Sequence, residues 1–89
     1  MYEVELTRRA YREYNKLQLQ EQSRIDIILE HLSTNPRPPG NRKIDGNIYR
    51  IRSGDWRVIY AVFDKNNLVL VGRIARRSED TYDRIEELF

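Results

Sequence analysis

The apolar residues of this chain change their period near residue 48. Before that point they recur every third or fourth position. Ile25, Ile28, Leu29 and Leu32 fall at i, i+3, i+4 and i+7, along one face of a helix. After it they recur every second position, in Ile48–Ser53, Trp56–Phe63 and 68–75, the period of strands. A chain with the two periods in separate halves folds as helices laid on a sheet.

The remaining elements follow from punctuation. Residues 2–6 alternate Tyr2, Val4 and Leu6 with Glu3 and Glu5, a half-buried strand. Thr7 is placed to cap a first helix carrying Ala10, Tyr14 and Leu17 on one face. Ser33, Thr34, Asn35 and Pro36 stop the second helix, and residues 36–40, with three prolines and a glycine, form a restricted loop. Ser53-Gly54-Asp55 supplies one turn, and Asn66-Asn67 suits the positive φ of a tight hairpin. Connections this short make the neighbouring strands antiparallel. A final helix over residues 79–89 carries Tyr82, Ile85 and Leu88.

The expected order is β-α-α-β-β-β-α, an α+β fold. Two N-terminal helices cover one face of a small, mainly antiparallel twisted sheet, and a short C-terminal helix follows. Residues 1–89 form one domain, since neither half could bury a core alone. The other sheet face is expected to be open, and function is sought there.

Charge narrows the choice of partner. Residues 1–40 carry six basic and six acidic side chains, residues 41–77 nine and three, and residues 78–89 one and five. A middle segment of net charge +6 points to a polyanion. With no cysteine and one histidine, neither a disulfide framework nor a thiolate or histidine zinc centre is available, and no metal or cofactor is expected. No apolar run has the length of a signal peptide or a membrane helix, so a cytoplasmic protein is expected.

Arg50 and Arg52 stand two apart on one strand and so share a face, with Arg57 on the next strand of the hairpin. Guanidiniums gathered in this way repel one another unless an anion lies between them, and their planar forks grip phosphate with two hydrogen bonds. The competing reading is a merely solubilising surface. Arg76 and Arg77 follow the last strand and precede Tyr82, which either stacks on a base or anchors the last helix. His31 lies late in helix two, away from the basic strands, and Trp56 alternates with Val58, Tyr60 and Val62 as a core position. Asp64 reads as a turn residue, and Glu79 and Asp80 as first-turn acids that favour the helix dipole.

The stretch Tyr49-Arg50-Ile51-Arg52-Ser53-Gly54-Asp55-Trp56-Arg57-Val58-Ile59-Tyr60 resembles the hairpin of RelE/ParE toxins. The tail from Ile74 through Arg76, Arg77 and Tyr82 looks like that family's ending, and Arg9 to Leu17 fits its first helix. The resemblance implies the toxin of a type II toxin–antitoxin pair, either of two branches. RelE-like members enter the ribosomal A site and cut mRNA, the 2′-hydroxyl attacking the adjacent phosphate without a metal. ParE-like members inhibit DNA gyrase by protein contact. A non-catalytic RNA- or ribosome-binding module is a third reading.

Carried over by position, Arg57 and Arg77 match arginines that hold and neutralise the scissile phosphate. Tyr82 matches the tyrosine that positions or stacks on substrate and is the candidate proton-transfer group. Arg50 and Arg52 match basic positions that are often lysine in ribosome-dependent nucleases; with Lys43 and Arg76 they are the candidate RNA-binding residues. Arginine is a poor base, so that departure leaves the proton acceptor open. Ala75 stands where relatives often have glycine, and Arg76 could substitute for Arg77. An acidic or amphipathic segment of a cognate antitoxin is expected to cover Arg50, Arg52 and Arg57 or to displace the final helix.

Overall fold

The computed structural model describes residues 1–76 and 89. Strand β1 (Glu3–Leu6) leads into α1 (Arg8–Asn15) and α2 (Leu19–Thr34), then β2 (Arg42–Asp45), β3 (Ile48–Ser53), β4 (Trp56–Phe63) and β5 (Leu68–Arg76). The five strands form one sheet in the order β1-β5-β4-β3-β2. The pairs β2–β3, β3–β4 and β4–β5 are antiparallel, while β1 pairs parallel with β5. The expected α+β architecture is therefore present. The expected final helix lies outside the described residues.

One strand carries no signal in the sequence. Strand β2 has a single apolar residue, Ile44, and a register shift between Lys43 and Asp45, so it carries no readable period. The turn after β4 also differs from a two-residue hairpin: Asp64–Asn66 make a turn of 3-10 helix, and Asn67 alone takes the positive φ, 49°.

Packing follows parity. Val58, Tyr60 and Val62 of β4, with Tyr49, Val69, Val71 and Ile74, meet Ala10, Leu17, Ile25, Ile28 and Leu32 in the main core. Leu17 reaches it from the turn after α1 rather than from the helix itself. The Thr7 hydroxyl accepts from the Ala10 N–H at 3.2 Å, the expected cap.

Two polar devices close the edges. Beyond Leu6, β5 has lost β1 as a partner, and α1 replaces it. Thr7 bonds backbone groups of Val71 and Gly72, and Glu13 accepts from the Ile74 N–H at 2.9 Å and from the Arg73 guanidinium at 2.8 Å. At the other end, Arg37 grips both Asp64 carboxylate oxygens and the Tyr49 hydroxyl, Tyr2 donates to Asp64, and Tyr60 donates to the Pro36 carbonyl. Burial, and then neighbouring Tyr49, hold the Tyr60 phenol well above its usual pKa.

Removing Glu13 leaves the Arg73 charge and the Ile74 N–H without that acceptor. Glu13→Ala is expected to cost about 2–3 kcal/mol in urea unfolding, and Glu13→Gln less. The Arg37 guanidinium, and then the Tyr2 hydroxyl, hold Asp64 below the usual carboxylate value. Its contribution is complete above the unfolded aspartate pKa and fades as pH falls through the lower folded value. Asp64→Asn should therefore lower the urea midpoint near neutral pH and converge with the parent in acid.

Candidate nucleic-acid interface

Alternation along β3 sends Tyr49 and Ile51 toward the helices and Ile48, Arg50 and Arg52 to the opposite face. The register then assembles a basic cluster. Arg52 stands opposite Arg57 on β4, and Arg50 stands opposite Arg42 on β2. Cβ atoms of such cross-strand pairs lie about 5 Å apart. Arg50 and Arg52 are about 6.8 Å apart along the strand. Apart from Arg73, which stands opposite Ile59 and is drawn to Glu13, four arginines among the described residues thus gather toward the β3–β4 turn on one face, where Gly54 takes a φ of 57°. The sequence reading named three of them; Arg42 sits on the strand with no readable period.

The same face is not open, contrary to expectation. Arg50 and Arg57 are each only 7% exposed, and neither is without a partner. At the other end of the face, Ile48, Ile59 and Ala61 form a second buried cluster with Ile44 and Phe63 packed against it. The reason is visible in β4: Trp56–Phe63 is apolar at nearly every position of both parities, the pattern of a strand covered on both sides. Arg52 and Arg42 remain exposed, and with Lys43, Ile44 and Arg50 they line a cleft of about 240 Å³.

Other candidates fall elsewhere. Lys43 lines that cleft but stands opposite Tyr49 in the register, with the helix-side set. Arg76 stands opposite Trp56 and lays its guanidinium 4.8 Å from the indole centroid, apart from the arginine cluster. Trp56 is only partly buried, and its indole N–H donates to Glu21 at 2.9 Å. His31 is exposed on α2. Asp64 lies in the turn, where it also anchors Arg37. Arg77, Glu79, Asp80 and Tyr82 lie outside the described residues.

Fold and face together define a small α+β module with helices on one side of a mixed sheet and a basic end on the other. The family model of the ParE toxin of type II toxin–antitoxin systems, parDE, matches residues 4–81. The chain belongs to that toxin family, within the RelE/ParE superfamily. It is 27% identical over 81 residues to the candidate toxin RelE1 of Methanocaldococcus jannaschii, covering 85% of this chain and 90% of the relative. It is also similar to the toxin chain of the RelE–RelB complex from Pyrococcus horikoshii, with a TM-score of 0.80 and 25% identity over 88% of this chain and 97% of that one. The E. coli RelBE toxin–antitoxin complex shares the fold, with a TM-score of 0.78 at 24% identity over 89% of this chain and all of that one.

Arg52 and Arg57 are like charges placed directly opposite, an arrangement that costs stability. Arg52→Thr is expected to raise stability by a few tenths to about 1 kcal/mol at low ionic strength, with the gain shrinking as salt screens the pair. Urea midpoints at two salt concentrations measure it, and a loss at both would mean that Arg52 is held by compensating contacts.

Proposed function

We propose that this toxin is a metal-independent, ribosome-dependent endoribonuclease that cuts mRNA in the A site and arrests translation. Carrying this reading is the cross-strand register that puts Arg52 against Arg57 and Arg50 against Arg42 at one end of one sheet face. In-line attack by the 2′-hydroxyl develops extra negative charge on the phosphate, and guanidiniums already fixed in place stabilise that charge more than the ground state. The low exposure of Arg57 adds to this, because a charge in a poorly solvated site acts more strongly on a reacting group.

In this reading Arg57 and Arg77 hold the scissile phosphate. Arg50, Arg52 and Lys43 bind flanking phosphates or ribosomal RNA. Tyr82 stacks on or orients the base and carries the proton that no arginine can take. The partner that silences the toxin is a cognate antitoxin, as RelB is paired with RelE in the similar complexes. With Arg50 and Arg57 buried, an acidic antitoxin segment reaches Arg52 and Arg42 first, from the exposed side of the cluster.

A second reading is supported by the family model itself, which is that of the ParE toxin. In the ParE-like branch the same face would contact DNA gyrase, with no chemistry. Mapping mRNA ends after induction separates the two: new ends within translated codons support the nuclease, and intact mRNA with DNA damage supports the gyrase reading. Arg57→Ala and Arg77→Ala should each lower cleavage by about 10²–10³. Arg57→Lys, which keeps the charge without the fork, guards against loss through misfolding. Tyr82→Phe abolishes cleavage if the phenol moves a proton and spares it if the ring only stacks. Undiminished cleavage in all four variants would overturn the mechanism.

A further inference from the structure

On the helix side of the same hairpin end lies a second cleft of about 340 Å³, between the end of α1, the start of α2 and the ends of β4 and β5. That volume falls within the ~300–1,000 Å³ range of small-molecule sites. One wall is Trp56 with the Arg76 guanidinium over its ring. Glu21 fixes the indole by accepting its N–H, and its other oxygen accepts the Gln18 N–H at 3.1 Å. Those donors, the Gln18 backbone foremost, hold Glu21 below its ordinary pKa, so the carboxylate stays an acceptor with lone pairs to spare. Glu13 also lines the cleft but is committed to Arg73 and the Ile74 N–H. The charges offered to a ligand are then Lys16 and Arg76 against a single Glu21.

We propose that this cleft binds one nucleotide of single-stranded RNA, its base stacked on the Trp56–Arg76 pair, its phosphate held by Lys16, and a base amino group donating to Glu21. Aromatic and guanidinium planes are the usual platforms for unpaired bases, and a carboxylate accepts from an exocyclic amine but repels a carbonyl. Adenine, cytosine and guanine carry such an amine; uracil does not. An acidic protein segment suits the cleft less well, because Glu21 would face it. The exposed face of α1 continues the track, with Arg8, Arg12 and Lys16 four residues apart. The first turn of α1 has no acidic residue and carries Arg8 and Arg9, which oppose the helix dipole. That local cost is consistent with charges kept for a partner. The inference rests on the RNA-directed reading of this toxin but uses the opposite face: Trp56 and Arg57 are adjacent, so a strand crossing the hairpin end meets both.

Trp56 is the only tryptophan, so its fluorescence reports on this cleft alone. The full chain would be titrated at low salt with AMP, CMP, GMP and UMP in turn, and with ribose 5-phosphate and a poly-glutamate peptide as controls. Saturable quenching is expected, tighter for AMP, CMP and GMP than for UMP. Lys16→Ala and Arg76→Ala should each weaken it about tenfold, the loss of one charge-assisted contact. Glu21→Gln should narrow the discrimination against UMP, because an amide can donate as well as accept. Lys16 is exposed, so its variant retains the fold, and urea unfolding checks the others. No quenching, equal affinity for UMP, equal quenching by ribose 5-phosphate, or tighter binding of the peptide would each overturn the proposal. Arg57→Ala separates the two readings. It should keep full nucleotide quenching while losing cleavage; retained cleavage sinks the nuclease mechanism, and loss of quenching in a folded Arg57→Ala protein sinks the separate cleft.

Discussion

Everything in this molecule depends on β4 being buried on both faces. Its even-numbered side chains, Val58, Tyr60 and Val62, close the core against the two helices. Its odd-numbered ones, Ile59 and Ala61, build a second apolar cluster, and Arg57 sits in line with them. A slip of one residue in its pairing would exchange the two sets and drive a guanidinium into the helix-side core. The same parity that builds the core therefore holds Arg57 opposite Arg52 and within a poorly solvated surface. Fold and basic cluster are one constraint seen from two sides of a strand.

The sheet needs its edges sealed for that arrangement to persist. β5 outruns β1 at Leu6, and the backbone groups beyond it are met by Thr7 and Glu13 of the incoming helix rather than by another strand. At the far end, Arg37 ties the proline-rich loop to Asp64 and Tyr49, with the Tyr49 and Tyr60 rings stacked 5.9 Å apart beneath it. Each device joins residues distant in sequence, so neither is readable from local pattern.

Legibility in the sequence followed the strength of periodicity. The helix over Ile25, Ile28 and Leu32 and the β3–β4 hairpin showed plainly, because apolar residues there recur without interruption. The convergence of Arg50, Arg52 and Arg57 showed too, since two-residue spacing and a short turn leave little freedom. Strand β2 did not show, with one apolar residue in four and a register shift within it, and Arg42 went unnoticed with it. The second face is covered where an open one is expected, and the run Val58 to Phe63 carries the reason: it contains no polar residue apart from Tyr60, whose hydroxyl is tied to Pro36. Trp56 shares the parity of Val58, Tyr60 and Val62 and packs against the core, half-buried at its rim, where an indole keeps one edge for a hydrogen bond.

The parallel pairing of β1 with β5 has a temporal side. Glu3 lies beside Leu68, and Thr7 bonds Gly72, 65 residues away. During synthesis the first strand emerges long before β5, its neighbour in the described sheet, exists, and it waits beside an incomplete hydrophobic layer. Closing so long a loop early gains nothing, because the contacts that reward it arrive last. The described sheet is completed only when β5, Leu68–Arg76, has been made. Such a wiring order postpones the closed sheet until β5 has been made, and leaves before it an interval in which the helices and the β3–β4 hairpin exist without the strand that joins them to β1.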